Sequence, residues 1–404
     1  MQRRAKALLA AAIMVGAVLS TAGGSAASAS GIWSAPTMVD SGTALSSLSC
    51  PTLKFCVAVD TAGNAVIHKR NDTWEAPNLI DAGDGGLGSV SCATTVVCMA
   101  VDATGNVLHY AYGIWFRKVI VEPGVAFASV SCPTGTFCIA VDADGNAVTY
   151  NGMTWTGLTA IDPGNALTAV SCPTATFCAA VDNNGNALTF NGALWSSPTT
   201  IDSGRVLEAV SCAAGNACVA VDNNGSALTD TGGSWSSPTS VDPGNSLHSV
   251  SCATTALCVA VDNHGNALTD SSGSWSSPIS IDSSNALASV SCPTVNFCAA
   301  VDAVGNALTF PPPISIITTS LPPATFGHRY SATLEASGGN RPYVWSARLP
   351  RGLHLNKTTG LISGLARHRG PFTVKVTLRD QKIRISGRPA TQNRVATHFV
   401  LTTS

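Results

Sequence analysis

Residues 195–229 read WSSPTTIDSGRVLEAVSCAAGNACVAVDNNGSALT, and variants of this unit recur along most of the chain. The unit holds four short β-type runs, at 195–201, 207–212, 218–222 and 227–230. Turn-forming residues separate the runs: Asp-Ser-Gly, the segment between the two cysteines, and Asp-Asn-Asn-Gly. Four strands at this period predict one blade of a β-propeller.

One tryptophan marks each unit. The tryptophans are Trp33, Trp74, Trp115, Trp155, Trp195, Trp235 and Trp275. The chain enters the repeats with a lone tryptophan run at 32–39 and leaves with a third-strand run at 307–310. We therefore expect the N-terminal strand to complete the last blade, because an open ring leaves two unpaired edges. The repeats predict a seven-bladed propeller over residues 31–310, with an open superhelix or a six-plus-one arrangement as the alternative.

Every cysteine belongs to a pair with five residues between its members, and the chain has 14 cysteines. Paired cysteines at fixed local spacing in an exported chain indicate disulfides, whereas a zinc site would need a second ligand pair. We expect each bond to close within its own unit. The predicted bonds join Cys50 with Cys56, Cys92 with Cys98, Cys132 with Cys138, Cys172 with Cys178, Cys212 with Cys218, Cys252 with Cys258, and Cys292 with Cys298.

The N-terminus has the features of a signal peptide. Three basic residues precede an apolar segment at 8–19, and Ala27-Ser28-Ala29 forms a small-residue cleavage site. We expect residues 1–29 to be removed and the mature protein to be secreted, with cell-wall association as a further hypothesis. No later run is long and apolar enough to predict a membrane span.

The repeats resemble those of secreted bacterial propeller proteins, a resemblance that carries no activity with it. A proline linker at 311–313 ends them, and residues 314–404 contain LPRGLHL at 349–355 and TGLISG at 359–364. This segment resembles the immunoglobulin-like, cadherin-like domain of bacterial surface proteins. The resemblance implies a β-sandwich used for display or adhesion. Some relatives bind calcium through an acidic segment, but residues 355–360 lack its two carboxylates, so we assign no metal here.

Charge divides the chain into two parts. Residues 31–310 carry 21 acidic and 6 basic side chains, whereas residues 311–404 carry 2 acidic and 13 basic ones. This asymmetry predicts either docking of the two parts or two separate electrostatic partners. The basic part suits an anionic cell-wall polymer, although basic residues also keep a small sandwich soluble. The low charged fraction of 11% excludes a basic nucleic-acid-binding protein, a coiled coil and a disordered chain.

The acidic residues of the repeats recur periodically. One set follows the second strand: Asp60, Asp102, Asp142, Asp182, Asp222, Asp262 and Asp302. A second set follows the tryptophan strand: Asp40, Asp81, Glu122, Asp162, Asp202, Asp242 and Asp282. In a propeller both sets lie towards one face. We interpret them as turn residues that accept backbone hydrogen bonds, with an acidic, cation-attracting binding face as the alternative.

The sequence contains no nucleophile elbow, zinc-protease motif or phosphate loop. We therefore predict a non-catalytic binding or scaffold protein without a cofactor, and we assign no catalytic residue. Its predicted partner is an extracellular glycan, a cell-wall polyanion or a protein, and we expect a monomer. The alternative is a hydrolase or lyase that uses the acidic face of the propeller. The tryptophans are interpreted as blade packing, with sugar stacking as the alternative.

Overall fold

The computed structural model describes residues 33–404 except 70–72, 84, 117, 311–313, 340–341 and 381–393. All regular elements in this described part are β-strands. It contains no helix that could span a membrane. The predicted signal peptide and the proline linker lie outside the described residues. The prediction of an all-β protein, with a seven-bladed propeller followed by an immunoglobulin-like sandwich, is confirmed.

Each blade is an antiparallel sheet whose strands follow one another in chain order. The first strand is innermost, because the first strands of neighbouring blades contact each other around the ring. Blade 1 comprises Leu45–Thr52, Phe55–Asp60, Asn64–Lys69, Thr73–Trp74 and Asn78–Leu79. Blade 2 comprises Leu87–Thr94, Val97–Asp102, Asn106–Ala111, Ile114–Trp115 and Val119–Ile120. Blade 3 comprises Phe127–Thr134, Phe137–Asp142, Asn146–Tyr150 and Thr159–Ala160.

The remaining blades repeat this arrangement. Blade 4 comprises Leu167–Thr174, Phe177–Asp182, Asn186–Phe190 and Thr199–Thr200. Blade 5 comprises Leu207–Ala214, Ala217–Asp222, Ser226–Thr231 and Thr239–Ser240. Blade 6 comprises Leu247–Thr254, Leu257–Asp262, Asn266–Ser271, Ser274–Trp275 and Ile279–Ser280. Blade 7 comprises Leu287–Thr294, Phe297–Asp302, Asn306–Phe310 and the N-terminal strand Thr37–Met38.

The tryptophan strand is interrupted, whereas the sequence predicted a continuous strand at 195–201. In blade 4 a single bridge joins Trp195 to Phe190, and pairing resumes only at Thr199. Between these points Ser196 Oγ, instead of a backbone carbonyl, accepts the N–H of Thr189. Pro198 lies in the gap and has no N–H to donate. Trp195 and Thr199 are four residues apart on the outer strand, whereas their partners Phe190 and Ala187 are three residues apart on the third strand. The outer strand therefore has one extra residue here and bulges.

The N-terminal strand closes the ring, as predicted. Thr37 pairs with Ala307 on the third strand of blade 7. Ser34 exchanges two hydrogen bonds with Thr309, one from its backbone N–H and one to its hydroxyl oxygen. Trp33 packs against Phe310 with ring centroids 5.7 Å apart. The first and last strands of the repeat region thus share one sheet.

Serine hydroxyls link adjacent innermost strands. The serine before the first cysteine of each unit accepts the N–H of the next blade's cysteine, at 2.9–3.0 Å in all seven blades. We call this row of bonds the serine belt. Its serines are Ser49, Ser91, Ser131, Ser171, Ser211, Ser251 and Ser291. A second row, two residues earlier, is complete in five blades; Ala169 and Ala209 take the serine position in the other two.

All fourteen cysteines are paired as the spacing predicts, each within its own blade. The bonds join Cys50 with Cys56, Cys92 with Cys98, Cys132 with Cys138, Cys172 with Cys178, Cys212 with Cys218, Cys252 with Cys258, and Cys292 with Cys298.

The position of these bonds differs from the prediction in one respect. The sequence had placed the whole segment between the cysteines in a loop. The strands instead run past the cysteines, so that Ala214 pairs with Ala217 across a tight turn. The second cysteine of each pair lies on the second strand and is at most 2% exposed; these are Cys56, Cys98, Cys138, Cys178, Cys218, Cys258 and Cys298. Each disulfide therefore lies inside the ladder between the first two strands.

The C-terminal domain has two main three-stranded sheets. One contains Arg329–Thr333, Leu361–Leu365 and Leu353–Leu355, and the other contains Val344–Ala347, Gly370–Arg379 and Arg394–Thr403. Ser315–Ile316 pairs with Ala336–Ser337. Trp345, Ile362, Val376 and Leu401 belong to the core between the sheets. Lys375 and Arg379 of Gly370–Arg379 are exposed, whereas Val374, Val376 and Leu378 are buried in the core.

Candidate functional site

The seven aspartates of the predicted acidic face are buried. Asp60, Asp102, Asp142, Asp182, Asp222, Asp262 and Asp302 are each at most 1% exposed. In blade 4, Asp182 Oδ1 accepts the backbone N–H groups of Asn184 and Asn186, at 2.9 and 2.6 Å. The same two bonds recur in the other blades. These turn aspartates hold the hairpin between the second and third strands, and they present no accessible binding face.

The turn needs a glycine because the backbone at the end of the outer strand of the same blade lies against it. Gly185 has φ +84°, and a Cβ there would overlap the carbonyl oxygen of Asp202. The backbone N–H of Asp202 donates to Gly185 O at 3.0 Å. The backbone at the end of the outer strand therefore packs against, and hydrogen-bonds to, the turn between the second and third strands of its own blade.

The second acidic set joins neighbouring blades. The Asp202 carboxyl, which ends blade 4, lies beside the turn aspartate Asp222 of blade 5, and Asp202 Oδ2 is buried without a hydrogen-bond partner. Five other aspartates, Asp40, Asp81, Asp162, Asp242 and Asp282, lie beside the turn aspartate of the next blade in the same way, and all six are at most 8% exposed. We call these six contacts the junction pairs. Glu122 is half-buried and breaks the series.

A hydrogen bond between two carboxyl groups needs a proton on one of them. Burial raises the pKa of Asp40 and of Asp202 to about 6, and the hydrogen bond to the partner aspartate acts in the same direction. The pKa of the other four carboxyls is also raised, with burial as the main cause. Two negative charges at one buried junction would repel each other, so a shared proton relieves that repulsion.

Most carboxyl groups of the propeller ring are buried and cannot contact a partner directly. Fifteen of the nineteen carboxyl side chains described in the ring are buried. Glu75 and Asp144 are exposed, whereas Glu122 and Glu208 are half-buried. A partner at the surface of the ring can therefore make direct contact with few of its carboxyl groups. An enzyme built on the turn aspartates would need them accessible, and they are not.

The tryptophans pack within their own blades. Five of them contact an aromatic residue at or next to the end of the third strand, with centroid distances of 5.2–5.7 Å. In blades 5 and 6 the facing residues are Asp230 and Asp270. A groove of about 500 Å³ lies beside Trp195, between the outer strands of blades 3 and 4. Leu194 and Pro198 also line it.

The outer strand of blade 2 differs from the others in carrying several exposed apolar side chains close together, whereas the outer strands of blades 1, 6 and 7 each carry one, at Leu79, Ile279 and Met38. Ile114, Phe116, Val119 and Ile120 are 52–64% exposed, and Tyr112 beside them is 83% exposed. The corresponding segments of blades 4 to 6 read W-S-S-P. We call these five residues the blade-2 rim.

One position of the first strand lies at a β-bulge in every blade. It follows the buried residue that starts the strand, and it is partly or fully exposed in every blade. These bulge residues are Ser46, Gly88, Ala128, Thr168, Glu208, His248 and Ala288. Because the first strand starts opposite the turn aspartate, as Leu207 does opposite Asp222, the position lies near the face of the turns.

Three polar bulge residues bond to the next blade. Ser46, Thr168 and His248 contact the carbonyl oxygens of Leu87, Leu207 and Leu287, and the His248 Nδ1 distance is 3.1 Å. These residues and Glu208 vary between units, so the repeat pattern gave no signal for them.

The C-terminal domain is basic at its surface. All nine of its described lysines and arginines are exposed; Glu335 is exposed, whereas Asp380 is buried. On the sheet face that points away from the core, Arg379 lies directly opposite Arg394, and Lys375 lies opposite His398. We call these four residues the basic strip. In the segment that replaces the calcium motif, Asn356 Oδ1 accepts the N–H groups of Thr358 and Thr359.

No group of three or more His, Cys, Asp or Glu side chains that could hold a metal ion occurs in the described ranges. No curated protein is similar enough in sequence to count as a relative. Residues 312–403 match the family described as "Putative Ig domain".

Solved propellers are similar in fold. YCF48 bound to a D1 peptide has a TM-score of 0.57 at 12% identity and covers 69% of this chain and 96% of its own. YCF48 from Cyanidioschyzon merolae has a TM-score of 0.54 at 14% identity, covering 69% and 98%. The WD40 β-propeller domain of Doa1 has a TM-score of 0.59 at 11% identity, covering 69% and 96%. The chain is therefore an all-β protein in which a propeller is followed by an immunoglobulin-like domain.

Proposed function

We propose that this is a secreted, non-catalytic binding protein that attaches to an anionic extracellular polymer through the basic strip. The juxtaposition of Arg379 and Arg394 carries the proposal. Like charges directly opposite each other on a sheet destabilise it. A polyanion laid across the strip offsets that repulsion and gains charge-assisted hydrogen bonds.

The rest of the domain supports the same function. Its other described basic residues are also exposed, so long-range attraction acts on an approaching polyanion. Seven disulfides in the propeller support export, because such bonds persist in oxidising compartments. The propeller provides a rigid body.

The test compares two full-length triple variants that lose the same charge. One replaces Lys375, Arg379 and Arg394 with glutamine, and the matched control replaces Arg329, Arg351 and Lys357. We expect the strip variant to lose retention on immobilised cell-wall polyanion at low salt, and the control to keep most of it. Equal retention by wild type and strip variant would overturn the proposal.

A protein scaffold is the second candidate, and the blade-2 rim favours it. Contiguous exposed apolar groups of this kind mark protein-interaction surfaces. The propeller complex with a D1 peptide shows that this fold accommodates peptide ligands. Replacing Ile114 and Phe116 with serine, with Leu194→Ser as an exposed control, should abolish capture of a protein partner while polyanion binding stays unchanged.

A further inference from the structure

The blade-2 rim can be compared with the same positions of the other blades, because the repeats give each blade an equivalent outer strand. Ile114, Phe116, Val119 and Ile120 are all apolar and 52–64% exposed. The equivalent positions of blade 5 hold only serine and threonine: Ser234, Ser236, Thr239 and Ser240. Blade 5 forms the same sheet with these polar residues, so the fold does not require apolar side chains here. The apolar character of the rim therefore points to a contact with another molecule.

The rim lies on an edge strand. Ile114–Trp115 and Val119–Ile120 form the outermost strand of blade 2, and among the described residues this strand pairs only with Asn106–Ala111. The outer side of a sheet edge presents backbone N–H and C=O groups that can pair with a further strand. An additional strand can therefore extend this sheet outward.

Most blades protect this edge with proline, which has no N–H to donate. Five of the seven have a proline three residues after their tryptophan: Pro36, Pro77, Pro198, Pro238 and Pro278. Blade 2 has Lys118 at that position, and its Nζ donates to Asp81 Oδ1 at 3.2 Å. The lysine is therefore engaged at the junction with blade 1, and the proline is missing where the exposed apolar side chains are concentrated.

The layer beneath the rim is also uncharged. The ring of His109, on the neighbouring third strand, lies 5.9 Å from the ring of Phe116. Burial lowers the pKa of His109, which keeps this imidazole neutral at neutral pH. The surface therefore suits an apolar partner better than an anionic one.

We propose that the blade-2 rim binds an extended polypeptide segment of another protein, which adds to blade 2 as a further strand. This inference rests on the second candidate function, protein binding at the rim, and specifies the form of the partner. Backbone hydrogen bonds to the edge supply affinity, and apolar side chains at alternate positions of the segment contact the rim. A second copy of this chain fits less well, because full antiparallel overlap of residues 114–120 brings two Arg117 residues together.

The probe is a capped nonapeptide, KVTIEVTIK, whose apolar residues alternate. It is titrated into the full-length protein by calorimetry. We expect it to bind, and a peptide of the same composition with its apolar residues in one block to bind more weakly. Two further peptides carry N-methyl groups on alternate residues, so that each blocks one backbone edge. We expect one of them to lose about tenfold or more in affinity, because it cannot donate hydrogen bonds to blade 2.

A triple variant gives blade 2 the residues that blade 4 carries at three positions: Phe116→Ser, Val119→Thr and Ile120→Thr. Because blade 4 folds with these residues, we expect an unchanged melting temperature. Peptide binding should weaken about tenfold or more, since three apolar contacts are lost. Leu79→Thr changes a similarly exposed apolar side chain of blade 1 and should leave the affinity unchanged.

Failure of the nonapeptide to bind, or equal affinity for the triple variant or for both N-methylated peptides, would overturn the proposal. A wild-type dimer that the triple variant abolishes would also overturn it, since the occupant would then be a second copy. If no peptide binds but the variant with serine at positions 114 and 116 loses capture of a protein partner, strand addition fails and protein binding at the rim stands. Polyanion retention, measured in parallel on the triple variant, should be unchanged.

Discussion

Ser291 Oγ accepts a hydrogen bond from the backbone N–H of Cys50 at 3.0 Å, across a sequence separation of 241 residues. This bond joins the innermost strand of the last blade to that of the first. It is chemically the same as the bonds at the other six junctions, so the serine belt continues around the whole ring. The belt therefore joins the first and last blades at their innermost strands, whereas the N-terminal strand joins the ends of the repeats at the outer edge of blade 7.

The serine belt can be tested at this bond. We expect Ser291→Ala to lower the free energy of unfolding by about 1–2 kcal/mol, because the Cys50 N–H loses its partner. The chain offers the reverse change as a control: Ala209→Ser should supply an acceptor for the Val250 N–H and raise stability. Urea denaturation followed by tryptophan fluorescence measures both. Equal midpoints for all three proteins would show that the belt contributes nothing.

Ring closure depends on the N-terminal strand. Deletion of residues 33–40 removes the partner of Ala307 and leaves the third strand of blade 7 as an unpaired edge. We expect lower soluble yield and oligomers formed by strand exchange, visible by size-exclusion chromatography with light scattering. A monomer that melts at the wild-type temperature would contradict this role.

The disulfides should act locally. Replacing both Cys172 and Cys178 with serine opens one loop, so we expect a loss of about 2–3 kcal/mol and an intact ring. Circular dichroism and melting measure the two effects. Peptide mapping without reduction should recover seven bonds within blades, and a single bond between blades would refute the pairing.

Stability should fall as pH rises. The pKa of Asp202 is about 6 in the folded protein, against an ordinary value of 3.8. The folded state therefore retains a proton that the unfolded state releases. This stabilisation is complete below about pH 4 and is lost as pH rises through about 6. We expect a higher melting temperature at about pH 5 than at about pH 7.5, with about 1 kcal/mol each from Asp202 and Asp40, the two carboxyls whose pKa rises to about 6.

Asp202→Asn tests the same junction pair. The amide removes the titrating group and can donate to Asp222, so stability at neutral pH should rise and the pH dependence should weaken. Asp144→Asn, at an exposed carboxyl, should change neither. A steeper pH dependence in Asp202→Asn would contradict the shared proton.

Repetition explains what could be predicted from the sequence. The period of the tryptophans and cysteines specified the blades, the disulfides and the closing strand, because each repeat encodes the same local ladder. The burial of Asp182 and its equivalents could not be predicted, since a turn residue can face solvent or the neighbouring blade. The blade-2 rim was missed because its residues depart from the repeat. The pairing of Arg379 with Arg394 depends on strand register, and no local pattern specifies that register.

The most direct test of the proposed function is the salt dependence of polyanion binding. For the full-length protein we expect the logarithm of the dissociation constant to rise linearly with the logarithm of salt concentration, as counterions are released. Replacing Lys375, Arg379 and Arg394 with glutamine should reduce this slope by roughly one for each cation that contacts the polymer. The control at Arg329, Arg351 and Lys357 should keep the wild-type slope. Identical slopes for all three proteins, or binding that does not respond to salt, would contradict attachment through the basic strip.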